Sequence, residues 1–249
     1  MQREWVPLEK VALPFARPEA QTLLRHVLAP IHRDGWRFIA IFFVVALILY
    51  WIARPLGWLG LFATLWCVYF FRDPWRVSPQ RSGLVLAPAD GLIIAVDEAP
   101  PPPELGLGPE AMRRIAIFMS VVDVHVNRAP MAGHIVKLAY SSGKFFNASL
   151  DKASSDNERM ATRLSTAHGD IAMVQIAGLI ARRIVATLRE GEEVIAGQRI
   201  GLIRFGSRAE VYLPPSWAVL AVTGQRAVGG ETVLADALSA EPPRLGTEH

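Results

Sequence analysis

Two patterns of apolar residues divide the chain. Residues 38–53 read FIAIFFVVALILYWIA and residues 56–71 read LGWLGLFATLWCVYFF, neither holds a charge, and only Arg54-Pro55 separates them. Runs that are hydrophobic all round predict buried or bilayer helices rather than surface ones. Sixteen residues make about 24 Å of helix, against a hydrocarbon core of about 30 Å. The expected element is therefore a short helical hairpin that either crosses a thinned bilayer or dips in as a re-entrant pair. Trp36, Trp51, Trp58, Trp66 and Tyr69 suit its interfaces. A soluble core hairpin is the competing reading, but a domain of this size rarely buries so long an apolar stretch in one place.

From Leu84 onward the texture changes to short β-rich segments punctuated by Gly and Pro: LVLAP, GLIIAVDE, RIAIFMSV, HIVKLAYS, IAMVQIA, RRIVATL, RIGLIRFG, AEVYLP and WAVLAVT. They predict a mainly β (α+β) fold, an antiparallel β-sandwich or barrel preceded by the apolar helical hairpin. APADGLIIAV, EGEEVIAGQRIGLI and GGETVLAD look like hairpins of lipoyl- or biotinyl-type barrels, without the lysine that carries the group there. The stretch DKASSDNERMATRL is expected as a helix or ordered loop, and Glu19 to His32 as a short amphipathic helix.

Composition changes the picture in three places. Hydrophobic residues make up 51% of the 249, high for a wholly soluble protein. Cys67 is the only cysteine, so the chain holds no internal disulfide and no cysteine metal site. The net charge of +3 does not call for nucleic acid, but its placement matters. Arg3, Lys10, Arg17, Arg25, Arg33 and Arg37 precede the apolar block, and Arg72, Arg76 and Arg81 follow it. Basic residues on both flanks favour anionic lipid and place both ends of the hairpin on the cytoplasmic face of the cell membrane.

Four stretches are rich in candidate chemistry. In LIRFGSRAEVYLP, Gly206-Ser207 interrupts a β-like run; a glycine there lets the backbone bend so that the serine hydroxyl reaches the preceding carbonyl. Read alone, it is equally a turn. VLAPADGLIIAV contains Asp90-Gly91, on local grounds a hairpin turn. FMSVVDVHVNRAP crowds Asp123, His125, Asn127 and Arg128 into six residues after an apolar strand. SSGKFFNASLDKASSDNER surrounds Phe145-Phe146 with polar residues, as an exposed loop or a clamp on a polar head group.

Together with FFRDPWR at 70–76, these stretches resemble the phosphatidylserine decarboxylase family, in its short bacterial or archaeal-type branch. The resemblance runs from about Phe70 to Asp236, with FFRDP, PADG, DVHVNR, NER and FGSR in order. It implies a proenzyme in which Ser207 attacks the Gly206 carbonyl and the chain splits into a β chain, 1–206, and an α chain, 207–249. Ser207 would become a pyruvoyl group that binds the substrate amine and accepts the electrons left by CO2, with no pyridoxal phosphate and no metal. Asp90 matches the acidic member of the self-processing triad, and His125 the histidine tied to decarboxylation, where an ordinary pKa near 6.5 suits proton transfer. Many members carry a second histidine where this chain has Arg128. His125 then does both jobs, or His134 comes near, or Arg128 stabilises the oxyanion. Arg128, Asn127, Lys144 and Phe145 are the expected substrate-binding residues, with Arg72 and Arg76 also placed to meet phosphate.

The implied order is an N-terminal segment at 1–37, a membrane hairpin at 38–71, a catalytic domain at 72–240 and a flexible tail at 241–249. The expected partners are a phospholipid substrate, an anionic membrane and either a second copy or the chain's own α and β halves. Three other readings remain: a pyruvoyl decarboxylase of another amino-acid substrate, a membrane-anchored lipoyl-like adaptor without catalysis, and, given Arg128, a degenerate family member that folds but never processes.

Overall fold

A computed structural model of the chain describes residues 29–143, 157–178, 183–204 and 206–247. The expected amphipathic helix from Glu19 lies almost wholly outside them.

The apolar runs form two helices, α1 (Gly35–Ile52) and α2 (Arg54–Phe70). Ala53 breaks the helical path with an extended backbone, φ −156°, and Pro55 sits in the first turn of α2, where its missing N–H costs nothing. The helices pack closely through glycine: a Cβ on Gly60 would stand 2.7 Å from the Ala46 Cα. Their other faces point outward. Trp51 is 89% exposed, and Ile48, Leu59 and Phe62 are exposed too. α1 has 18 residues and a mean hydropathy of 2.1, long and apolar enough to cross a membrane. An exposed apolar surface this extensive marks a contact with lipid or protein.

The base of the hairpin is tied to the rest. His32 N–H donates to Phe71 O at 2.8 Å and Asp73 N–H to Pro30 O at 2.7 Å. Phe70 and Phe71 are fully buried in a cluster with Cys67, Val124, Val126 and Leu202.

The remainder is antiparallel β structure. The larger sheet holds β2 (Gly91–Ala99), β3 (Met112–Met119), β5 (Gly133–Ser141), β6 (Arg159–Thr166), β7 (Gly169–Ala177), β9 (Glu193–Val194), β11 (Ser207–Leu213) and β13 (Arg226–Ala227). Their order is β13-β2-β3-β11-β7-β6-β5-β9. Two smaller sheets complete the fold. One is β1 (Leu84–Leu86), β14 (Val233–Asp236) and β12 (Ala218–Val219); the other is β4 (Val126–Arg128), β10 (Arg199–Ile203) and β8 (Ile184–Ala186). The larger sheet curls into half a barrel over the main core. β11 shows the two-residue period: Ala209, Val211 and Leu213 enter the core, while Arg208, Glu210 and Tyr212 face the other way.

The mainly β architecture and the apolar hairpin are as the sequence predicts. The stretch expected as a helix or ordered loop is neither over most of its described part: Arg159–Thr166 is strand β6, paired along its length with β7. Its pattern is strand-like, with Met160 and Leu164 on the main core and Ala161 on the opposite cluster. The polar run that precedes it masks that alternation.

Candidate active site

The Gly206-Ser207 pair lies where the chain crosses between sheets. β10 ends at Ile203 in a small sheet, and β11 begins at Ser207 in the middle of the large one. The crossing takes three residues, and Gly206 completes it with φ +75°, a left-handed conformation that glycine adopts without penalty. Ser207 is fully buried and pairs with Met119 of β3 and Ala177 of β7. Its Oγ lies 3.6 Å from the Met119 Sδ.

Both polar groups of Gly206 are engaged. Its N–H donates to His125 Nε2 at 3.1 Å. Its carbonyl accepts the Gly178 N–H, also at 3.1 Å. His125 is brought there by the small sheet: β4 pairs with β10, and the Ile203 N–H donates to the His125 carbonyl at 3.2 Å. The imidazole is fixed on both sides. Its Nδ1 donates to the Asp123 carbonyl at 3.0 Å, leaving Nε2 as acceptor, and the Phe70 ring lies over it at 4.3 Å between centroids. Burial pulls the His125 pKa down to about 4, outweighing the Asp123 carbonyl and carboxylate that raise it. The ordinary value near 6.5 expected from sequence does not hold here, because the ring is dry.

Asp123 shapes the loop before the histidine. Its carboxylate accepts from the Ser120 N–H at 2.8 Å and hydroxyl at 2.7 Å, and pairs with Arg226. Burial pushes its pKa up, but these partners outweigh it and hold the group below its usual range.

Asn127 faces the same side as Ser207. It accepts from Gln175 Nε2 at 2.7 Å, and its Nδ2 lies 3.6 Å from the same Met119 Sδ. Gln175, fully buried, is a member of this cluster that the sequence did not single out; an internal polar residue in IAMVQIA is the only signal it leaves.

Arg128 points to the other side of β4. It donates to Gly197 O at 3.0 Å and Pro74 O at 3.1 Å, and its Nη2 is 3.5 Å from Asp73. Asp73 also takes the Arg199 guanidinium at 2.7 Å. Arg128 therefore clasps the FFRDPWR segment rather than the Gly-Ser bond. His134, at the exposed start of β5, is three strands from β11. That leaves His125 as the histidine placed at the crossing among the described residues.

Asp90 does not sit in a hairpin turn. It precedes β2, accepting from Gly229 N–H at 2.7 Å and pairing with Arg76 at 2.6 Å. Burial raises its pKa, outweighing Arg76 and Gly229. The register places its strand two away from Ser207, across β3. Among the described residues, no hydrogen bond joins Asp90 to His125 or Ser207. Arg76 is thereby engaged with Asp90. Arg72 donates to Tyr69 O and Val122 O, both at 2.8 Å, and lies over the Tyr69 ring. Lys144 and Phe145 lie outside the described residues.

At the crossing, a buried serine thus follows a left-handed glycine whose N–H is held by a histidine that burial keeps neutral at pH 7. The family profile described as phosphatidylserine decarboxylase matches residues 63–235. A relative from Cereibacter sphaeroides, the phosphatidylserine decarboxylase proenzyme, is 53% identical over 225 residues, covering 90% of this chain and 97% of the relative. The chain belongs to the phosphatidylserine decarboxylase family. It is an enzyme, a decarboxylase, and the adaptor reading is set aside.

Proposed function

We propose that the chain matures by breaking its own Gly206–Ser207 bond, carries a pyruvoyl group at position 207 and removes CO2 from phosphatidylserine at the membrane surface. The observation that carries this reading is the crossing itself. One residue, Gly206, is bent into the left-handed region, hydrogen-bonded through its N–H to His125 and followed by a buried serine. The residues present fit the group: position 207 heads a central strand inside the core, where a new chain end stays held by β3 and β7. A pyruvoyl carbonyl supplies an electron sink for the pair released with CO2, the work that pyridoxal phosphate does elsewhere.

The chain's own residues do the rest. His125, neutral at pH 7, is the base that takes the Ser207 Oγ proton. Once protonated in a dry site it is a strong acid, and it returns a proton readily to the substrate carbon. With His134 distant and Arg128 turned away, His125 serves both maturation and turnover. Asp90 acts at longer range, through the Arg76 pair and the 229–230 turn. Asn127 and Gln175 offer amide groups to the substrate's polar head. The apolar hairpin holds the site against the cytoplasmic face, and its last turn supplies Phe70, so anchor and site are one continuous structure.

The test is the intact mass of the purified protein under denaturing conditions. Two chains, 1–206 and 207–249, with the smaller blocked at its N-terminus, are expected, and Ser207→Ala should stay whole. An uncut wild-type chain with an ordinary Ser207 overturns the reading. Release of CO2 from free serine at the rate seen with phosphatidylserine vesicles would instead favour a soluble amino-acid substrate.

A further inference from the structure

We infer that the backbone N–H of Gly178 is the oxyanion donor for breakage of the Gly206–Ser207 bond, and that Asn157 is the positioning residue that holds it there. The inference rests on the self-processing reading above and assigns atoms that reading leaves open.

The register of the sheet aims this donor. Ala177, the last residue of β7, pairs directly with Ser207, the first of β11. One step further, Gly178 N–H meets Gly206 O at 3.1 Å. The ladder thus continues one rung past the scissile bond and ends on the carbonyl that must be attacked. Rungs beyond a strand end fray most easily. This one is pinned from the segment just before β6. Asn157 Nδ2 donates to Ala177 O at 2.7 Å, and Ala177 N–H donates to Glu158 O at 2.9 Å. The carbonyl of Ala177 belongs to the same peptide unit as the Gly178 N–H, so holding one orients the other. Asn157 is 1% exposed, so water does not compete for its bond. The contact needs a donor at this position; an ionised carboxylate, acceptor only, would face the carbonyl oxygen with another oxygen.

The chemistry needs such a donor. Ser207 Oγ bonds to the Gly206 carbonyl carbon, the Gly206 N–H releases His125 Nε2 so that its lone pair takes the Oγ proton, and the π pair moves onto Gly206 O. That oxygen already has the Gly178 N–H upon it, so no reorganisation is required as charge develops. The C–N bond then breaks, the Ser207 nitrogen takes the proton, and Gly206 remains as an ester on Ser207 Oγ.

Asn157→Asp keeps the size and removes the donor. We expect self-cleavage at least tenfold slower, in keeping with the loss of about 10²–10³ that removing an oxyanion donor outright causes. In a Ser207→Ala background, the same change should leave the thermal midpoint within a few degrees while the Gly178 amide exchanges with solvent distinctly faster. Hydroxylamine, which captures the ester, should not restore the rate, because the slow step precedes the ester. Cleavage by a folded Asn157→Asp chain at the wild-type rate, or its full rescue by hydroxylamine, overturns this inference while leaving self-processing intact. A wild-type chain that never cuts overturns self-processing itself. Should Asn157→Asp fail to fold, exchange in the Ser207→Ala chain alone decides: a protected Gly178 amide supports the assignment, and exchange at the rate of an exposed loop refutes it.

Discussion

The rings of Phe70 and His125 lie 4.3 Å apart, centroid to centroid, tilted by 36°. One residue ends the second apolar helix, and the other hydrogen-bonds the Gly206 N–H. Phe70 therefore excludes water from the imidazole as well as docking the hairpin. Phe70→Leu should open this cover and let the His125 pKa climb from about 4 toward its ordinary value. The acid limb of self-cleavage, measured on freshly refolded precursor, should move upward with it. At pH 5.5 the variant should cut several-fold more slowly than wild type, and at pH 8 the two should agree. Equal acid limbs would mean that the ring only packs.

The same burial makes stability depend on pH. Between about 6.5 and about 4 the unfolded chain binds a proton at His125 that the folded chain refuses. The contribution is therefore fully present above about 6.5 and is lost as the pH falls toward about 4. The whole shift amounts to about 3 kcal/mol. Asp90, raised by burial, acts with the opposite sign, since the folded state holds its proton more tightly. Urea unfolding of Ser207→Ala with and without His125→Asn isolates the histidine, because Asp90 is common to both. The chain that keeps His125 should lose about 2.5 kcal/mol more between pH 7.5 and 4.5; parallel curves would show that the imidazole is wet.

Arg128 and Asp73 form a buried pair that joins the post-hairpin segment to β4. Arg128→Ala leaves Asp73 with Arg199 alone and strips the donors from Pro74 O and Gly197 O. Breaking a buried pair on one side costs about 3–5 kcal/mol. Asp73→Ala should destabilise too, and the double variant should cost less than the sum, with a coupling of about 0.5–3 kcal/mol. Self-cleavage of the folded fraction should stay within about threefold of wild type. A loss beyond tenfold at unchanged stability would return Arg128 to the chemistry.

These relationships explain what the sequence could and could not disclose. The hairpin was legible because two uncharged apolar runs have few other outcomes. The strands after Leu84 were legible because Gly and Pro bound them, whereas β6 was hidden by the polar run before it. Gly206, Ser207 and His125 lie in ordered motifs and could be singled out residue by residue. What could not be read is which side of a strand each residue uses in a fold of three sheets. Asn127 and Arg128 are adjacent, yet one faces Met119 and the other Asp73. Gly178 lies in none of these motifs and Asn157 opens the NER motif, yet neither points to the Gly-Ser bond from sequence, because their relation to Gly206 exists only in the register of β7, β11 and the segment beside them.

If the hairpin is the proposed membrane anchor, its sequence also predicts how deeply it enters the bilayer. Arg54 sits at its tip, beside Trp51 and Trp58, while Trp36 and Tyr69 stand at its base. From Trp36 to Trp51 the helix rises about 22 Å. Two aromatic levels at that separation fit the two interfaces of a locally thinned membrane. An arginine left at mid-bilayer would cost at least about 2.5–3.5 kcal/mol, a cost removed if the tip emerges. The expectation is a full crossing, with Arg54 in the far head-group layer. Arg54→Cys and Val77→Cys, each placed in the native chain, report on the two sides; Cys67 is buried and should stay silent. A membrane-impermeant maleimide applied to intact cells should label Arg54→Cys and spare Val77→Cys until the membrane is opened. If Arg54→Cys is labelled only together with Val77→Cys, or not at all, the hairpin is re-entrant and holds the enzyme from one leaflet.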